Sequence, residues 1–503
     1  MFGDIAANVA IGLSSALSWN NLLFCLIGVT LGTLLGAIPG IGALVAMSLL
    51  FPITFHLDPL GGLVMLGGIY YGTAYGGSIA SILLNLPGTP SNAVACLDGY
   101  PMAKGGRAGV ALFMTTAGSF FGGSVGILIM MLFSPLIIQI AMQFHSAEYF
   151  SLMLMGLIAA SVISDGSALK GIAMVMLGIL LGVVGTDVYT GQTRFTFGQL
   201  ELMDGIGLVA IAMGLFGGSE VIASIRAGEA GLIQKKVSLR SLIPTRDDLR
   251  RSLAPMVRGS GIGSFFGALP GTGATLAAFV SYAVERRVAK DPSRFGKGAI
   301  EGVVAPETAN NAADQTAFIP TLTLGIPGTA SMALIIGVLM IHGVAPGPRL
   351  MVDHPDLFWG LVMSFWIGNI LLVVLNVPMI GVWVRVLTIP YHILYPAILM
   401  FICIGVYSIN NSAFDVIAVA VLSALGYAMR IFNFPAAPLL LGFVLGPMME
   451  EHFRRAMLLS RGNLEIFIAS PLSTGFIVAS GILLVVGIWS TYREARRARV
   501  AAQ

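Results

Sequence analysis

The octet Gly36-Ala37-Ile38-Pro39-Gly40-Ile41-Gly42-Ala43 cuts an apolar run, and Gly267-Ala268-Leu269-Pro270-Gly271-Thr272-Gly273-Ala274 cuts another; six of the eight positions match. A second pair follows: Leu86-Pro87-Gly88-Thr89-Pro90-Ser91-Asn92 and Ile326-Pro327-Gly328-Thr329-Ala330-Ser331. Pro removes a backbone donor and Gly relaxes the chain, so each motif breaks a helix. The surrounding chain is 56% hydrophobic and 10% charged, with a mean hydropathy of +0.89. Soluble domains carry about 25% charged residues. Apolar segments of roughly 20 residues recur along the whole length, as helices crossing ~30 Å of hydrocarbon require. A β-barrel would show short alternating segments instead. The sequence therefore predicts an all-α polytopic membrane protein with about 10–14 membrane segments. In lipid, broken backbone is tolerated only where it is buried or lines a wet cavity. Paired breaks in corresponding places of two halves point to a transporter binding site near the midplane.

The division into halves follows from charge. No Lys or Arg precedes Lys104. Residues 226–258 hold Arg226, Lys235, Lys236, Arg240, Arg246, Arg250, Arg251 and Arg258. This basic stretch reads as a cytoplasmic linker between a first membrane repeat, 1–225, and a second, 259–503. The second repeat ends in a basic tail with Arg493, Arg496, Arg497 and Arg499, also read as cytoplasmic. Pro39 and Pro270 are 231 positions apart, and Pro87 and Pro327 are 240 apart. The extra residues lie between the motifs of the second half, in a charged connection that includes Arg286, Arg287, Lys290 and Arg294. Its first-half counterpart, Phe55-His56-Leu57-Asp58-Pro59, has no Lys or Arg. Opposite charge bias in equivalent loops predicts opposite membrane faces, hence two inverted-topology repeats with discontinuous helices and hairpins. The start, Met1-Phe2-Gly3-Asp4, lacks the basic n-region of a cleavable signal peptide.

The residues beside the breaks suit small ions and polar solutes. Freed carbonyls ligate Na⁺, and half-helix N-termini aim amides at anions. Asn85, Pro87, Gly88, Thr89, Ser91, Asn92, Pro327, Gly328, Thr329 and Ser331 are the expected substrate-binding set. A competing role, close helix packing, suits any isolated Gly pair but not four matched breaks. The stretch Pro306–Thr316 is the richest polar run inside an apolar region. Glu307 and Asp314 stand seven apart, on one face of a helix. Buried acids favour cation coordination or a proton relay over direct anion binding. Gly40, Gly42, Gly271, Thr272, Gly273, Asn310, Asn311 and Asp314 are accordingly expected to serve ion coupling, with Na⁺ or H⁺ as the ion and no other cofactor. The first-half counterpart, Tyr70–Ser78, is polar but uncharged, so the halves are expected to do different work.

Other classes lack support. No Ser-His-Asp order, HExxH, CxxC or P-loop occurs, so neither an enzyme nor direct ATP drive is expected. Cys25, Cys96 and Cys403 have no metal-ligand spacing. A net charge of +3 is too small to imply a nucleic-acid partner.

At these motifs the chain resembles the large permease subunit of the tripartite tricarboxylate transporters, the TctA family. The matching stretches are Gly36–Ala43, Tyr70–Arg107 with its Asp98-Gly99-Tyr100-Pro101, Arg194–Gly205 and Gly267–Leu350. The resemblance implies a secondary transporter of the bacterial inner membrane taking up carboxylates with Na⁺ or protons. It also implies a small TctB-like membrane subunit and a periplasmic TctC-like solute-binding protein as partners. Elevator-type motion is implied by analogy of fold alone. A self-sufficient transporter of another small polar solute, such as an amino acid, is the alternative.

Overall fold

The computed structural model describes residues 2–163, 167–187, 189–224, 239–271, 273–386 and 391–501. Thr272 and residues 226–238 of the basic stretch 226–258, with Arg226, Lys235 and Lys236, lie outside them. Among the described residues the regular elements are helices, apart from one short antiparallel pair, Gly185–Thr186 with Thr193–Arg194. Among the described residues six helical stretches are long and apolar enough to cross a membrane: Trp19–Ala37, Pro90–Ala141, Ser146–Ile163, Pro355–Asn376, Ala413–Ile431 and Pro471–Trp489. The all-α polytopic architecture expected from the apolar runs is the one observed.

The breaks repeat in backbone as well as in sequence. The Trp19–Ala37 helix ends at an extended Ile38, turns through Gly40 at φ +88°, and re-enters helix at Ala43–Leu50. The Arg246–Gly267 helix ends at Ala268, still in the α region, turns through Gly271 at the same φ of +88°, and continues as Gly273–Val288. The second breaks also match. The Pro59–Leu84 helix stops at a left-handed Asn85 (φ +57°), and its counterpart position Gly325 has φ +70°. Thr89 and Thr329 are both extended and both precede the next helical turn.

The helices flanking each first break are held by glycine. Gly28, Gly32 and Gly36 press against the backbone carbonyls of Met65, Ile69 and Thr73 on the Pro59–Leu84 helix. In the second half Gly259, Gly263 and Gly267 press against the carbonyls of Ala305, Ala309 and Ala313 on the Ile300–Thr316 helix. Lipid tails are as apolar as side chains, so helices in a membrane gain from close backbone approach, which small residues permit. A Cβ at any of these six positions would overlap the partner backbone.

Two polar stretches fold differently from their hydropathy. The run Tyr70–Ser78 separates two apolar stretches in the sequence, yet it lies buried inside the single 26-residue helix Pro59–Leu84. Its Thr and Ser hydroxyls are satisfied locally: Thr73 donates to the Tyr70 carbonyl and Ser78 to that of Tyr75. The run Pro306–Thr316 is likewise buried helix. The basic linker also ends earlier than its charge indicates. A capped helix starts at Arg246, with the Thr245 hydroxyl accepting from the Asp248 amide at 3.2 Å. Two of its four arginines are paired, Arg251 with Glu301 at 2.9 Å and Arg258 with Glu285 at 2.6 Å.

Asp98 ties the halves together. It accepts from the backbone amides of Gly298 and Ala299 at 2.8 and 2.7 Å, at the head of the Ile300–Thr316 helix, and from the Tyr282 hydroxyl at 2.9 Å. An acid suits that place, since the helix N-terminus carries partial positive charge and unsatisfied amides. The loop Arg194–Gly205 is anchored too. Arg194 pairs with Asp187 and, at 3.0 Å, with Glu450, and it holds the Asp187 carboxyl below the usual carboxylate range.

Candidate functional site

All four breaks open onto one cavity of about 800 Å³. Gly40 and Gly42 reach it from the first, Pro87 to Ser91 from the second, Gly271 and Gly273 from the third, and Gly328 to Ser331 from the fourth. Two of the breaks bond directly, the Gly271 amide donating to the Gly328 carbonyl at 2.8 Å. Apolar walls come from Ala160 and Ile163 on the Ser146–Ile163 helix and from Ala437, Pro438 and Leu441 on the Ala436–Leu459 helix. Polar groups are few: Tyr70, Thr73, Thr275, Asp314, Glu220 and Arg430, with the threonines and serines of the breaks. An apolar pocket with a few convergent polar groups is the usual form of a small-molecule site.

A chain of hydrogen bonds leads from the cavity into the protein. The Thr89 hydroxyl lies 2.9 Å from that of Ser91 and donates to Asn92 Oδ1 at 2.5 Å. Asn92 is fully buried and donates to Glu307 Oε1 at 2.9 Å. Asn310 donates to Glu307 Oε2 at 3.3 Å. Asn311 donates to Ser119 at 2.8 Å and to Asn310 Oδ1 at 2.5 Å. Asp314 stands apart from this chain: it lines the cavity, and the Tyr70 hydroxyl donates to its Oδ1 at 2.6 Å. The two acids expected on one helical face thus take different surroundings. Glu307 is enclosed by amides behind Thr89, whereas Asp314 faces the open space.

Most expected site residues meet in the cavity. Pro87, Gly88, Thr89, Ser91, Gly328, Thr329 and Ser331 line it, and so do Gly40, Gly42, Gly271, Gly273 and Asp314. Five lie off its wall. Asn85 and Pro327 shape their turns, and Asn92, Asn310 and Asn311 form the network behind. Tyr70, Glu220 and Arg430 are additions. The last two are single charges at the edges of apolar stretches, which is the sequence signal they offered. Among the described residues no group of three or more His, Cys, Asp or Glu side chains is placed to hold a metal ion.

A polytopic helical protein whose matched breaks converge on one cavity is built as a membrane transporter. The chain belongs to the tripartite tricarboxylate transporter TctA family, whose model matches residues 22–441. It is similar to an uncharacterized 52.8 kDa protein in the TAR-I ttuC' 3' region of Agrobacterium vitis, 47% identical over 98% of both chains. It is also similar to an uncharacterized protein in the TAR-II ttuC' 3' region of the same organism, 52% identical over 46% of this chain and 97% of the relative. No solved structure matches. The family is one of transporters rather than enzymes, and a tripartite system implies partner subunits.

Proposed function

We propose that this chain is the translocating subunit of an importer that carries carboxylates across the bacterial inner membrane, coupled to Na⁺ or H⁺. A periplasmic solute-binding protein of the TctC kind delivers the substrate, and a small TctB-like subunit completes the complex. The convergence of all four breaks on one cavity carries this reading. Thr89, Ser91, Thr329 and Ser331 hydrogen-bond the substrate, and Asp314 serves the coupling ion. A carboxylate gains nothing from a nearby acid, whereas a cation does, and a bound cation lets the anion sit close by. The halves are opposed in the membrane, with the C-terminal tail in the cytoplasm, and an elevator-type motion follows from that symmetry by analogy.

Uptake of labelled citrate and succinate, measured with the complete three-part system in right-side-out vesicles, tests the reading. Wild type accumulates one of them against its gradient, driven by a Na⁺ or pH gradient. No accumulation of any carboxylate sinks it. In the same assay Asp314→Asn raises the Na⁺ concentration for half-maximal uptake, or abolishes the dependence on the proton gradient. Substrate affinity at saturating ion changes less. A variant with the wild-type ion curve and weakened substrate affinity would place Asp314 in the substrate site instead.

Opposed topology has its own check. A cysteine introduced by His56→Cys is labelled by impermeant maleimide from the periplasm, and one introduced by Lys290→Cys only from the cytoplasm. Labelling of both from one side rules out the inversion.

A further inference from the structure

Two side chains on the cavity wall belong to none of the repeated motifs. Arg430 stands in the last turn of the Ala413–Ile431 helix, and Glu220 stands on the Ser219–Ser224 helix. Arg430 Nη1 donates to Glu220 Oε2 at 2.6 Å. Both line the cavity with the breaks, and Arg430 is its one cationic side chain among the described residues. The Glu220 carboxylate lies over the first break: a Cβ on Gly40 would come within 3.0 Å of its Oε1.

Ordinary roles exist for each. A cation in the last turn of a helix offsets the carbonyl dipoles. An Arg near the end of a span also carries its charge to the headgroups. Neither role accounts for a guanidinium that opens onto the same cavity as four helix breaks. Glu220 stands in the first turn of its α-helix. It follows a π-helical stretch, Met213–Gly218, a winding concentrated at functional sites.

The breaks supply partial positive charges from half-helix amides, while Arg430 supplies a full one. A guanidinium matches a carboxylate in shape as well as charge. The carboxylate it holds here is the protein's own. The pair is also exchangeable, because the Arg430 side chain is 58% exposed and that of Glu220 20%. Ion pairs so exposed are weak.

We propose that Arg430 is the carboxylate anchor of the cavity and that Glu220 is its internal stand-in, displaced when a substrate carboxylate arrives. This rests on the carboxylate reading above and assigns the residue that reads the charge. The two substitutions then have opposite signs. Removing the anchor weakens substrate, whereas removing the competitor strengthens it. A Glu220 that merely held Arg430 in place would weaken substrate when removed.

Binding of labelled citrate and succinate to the purified full-length chain in nanodiscs, at fixed Na⁺ and pH, separates these outcomes. Arg430→Gln is expected to weaken binding at least tenfold, with Arg430→Lys between it and wild type. Glu220→Gln is expected to tighten binding about threefold or more, and the double variant to behave as Arg430→Gln alone. Unchanged affinity in Arg430→Gln, or unchanged or weakened affinity in Glu220→Gln, overturns the proposal. If Arg430→Gln does not yield a monodisperse protein, Glu220→Gln decides the matter, since it leaves the anchor intact. Wild type that binds neither carboxylate overturns the carboxylate reading and this inference together. Wild type that binds, with Arg430→Gln binding equally well, removes this inference and leaves the reading standing.

Discussion

Thr89→Val is expected to weaken substrate affinity tenfold to a hundredfold in a protein that still inserts and extracts normally. Valine keeps the volume and removes one hydroxyl. That hydroxyl faces the cavity and donates to Asn92 at 2.5 Å. A hydrogen bond to a charged ligand contributes about 1.5–3 kcal/mol, and about 1.4 kcal/mol is a factor of ten in affinity. The hydroxyl has one proton, which turns from Asn92 Oδ1 to the carboxylate when substrate arrives; in the empty site the variant leaves buried Asn92 Oδ1 without that donor. Thr329→Val differs in kind. The Thr329 hydroxyl also accepts from the Met332 amide at 3.3 Å, capping the Ala330–Ile341 helix. Losing such a cap costs about 0.5–2 kcal/mol, so this variant is expected to lose thermal stability along with affinity. Half-saturation of uptake and thermal unfolding, measured on the same preparations, distinguish the two. Normal uptake by both would mean that the breaks only pack helices.

Gly263→Val is expected to leave little or no folded protein in the membrane. A Cβ there would run into the carbonyl and Cα of Ala309, and backbone cannot swing aside as a side chain does. Overpacking a core costs about 1–3 kcal/mol and sometimes more. Here the displaced helix is the one that carries Glu307, Asn310 and Asp314. The control lies two residues away: a Cβ on Gly261 meets nothing within 4 Å. Gly261→Val carries the same side chain on the same helix and is expected to be tolerated. Fluorescence-detected size-exclusion profiles of the extracted variants compare them directly. Equal profiles for Gly261→Val and Gly263→Val would remove the glycine contacts from the account of stability.

What the sequence shows of this molecule follows from where the information resides. The breaks are legible because Pro39, Pro87, Pro270 and Pro327 act locally, and their spacing carries the duplication on its surface. Their convergence on one cavity is seen only in the fold. Features whose partner is backbone leave little trace. Gly28, Gly32 and Gly36 meet carbonyls of Met65, Ile69 and Thr73, which any residue there would present. Polarity misleads where a helix satisfies its own Thr and Ser hydroxyls, as in Tyr70–Ser78, which hydropathy divides and the structure keeps whole. A spacing of seven places Glu307 and Asp314 on one helical face, but it does not tell which of them meets open space. That depends on Asn92, brought to Glu307 from the other half. The pair of Glu220 and Arg430 joins positions 210 apart along the chain and shows in no local pattern.

The bonds that cross between the halves bear on how such a chain can evolve. Tyr70 reaches Asp314, Asn92 reaches Glu307, and Tyr282 reaches back to Asp98. In register, the first-half position matching Asp314 is Ala74, and the one matching Glu307 is Gly67. Each half now holds donors whose acceptors reside in the other. Two copies of the first would set a tyrosine hydroxyl against an alanine and an asparagine amide against a glycine. The halves are complementary rather than interchangeable, so doubling either one would not restore the cavity.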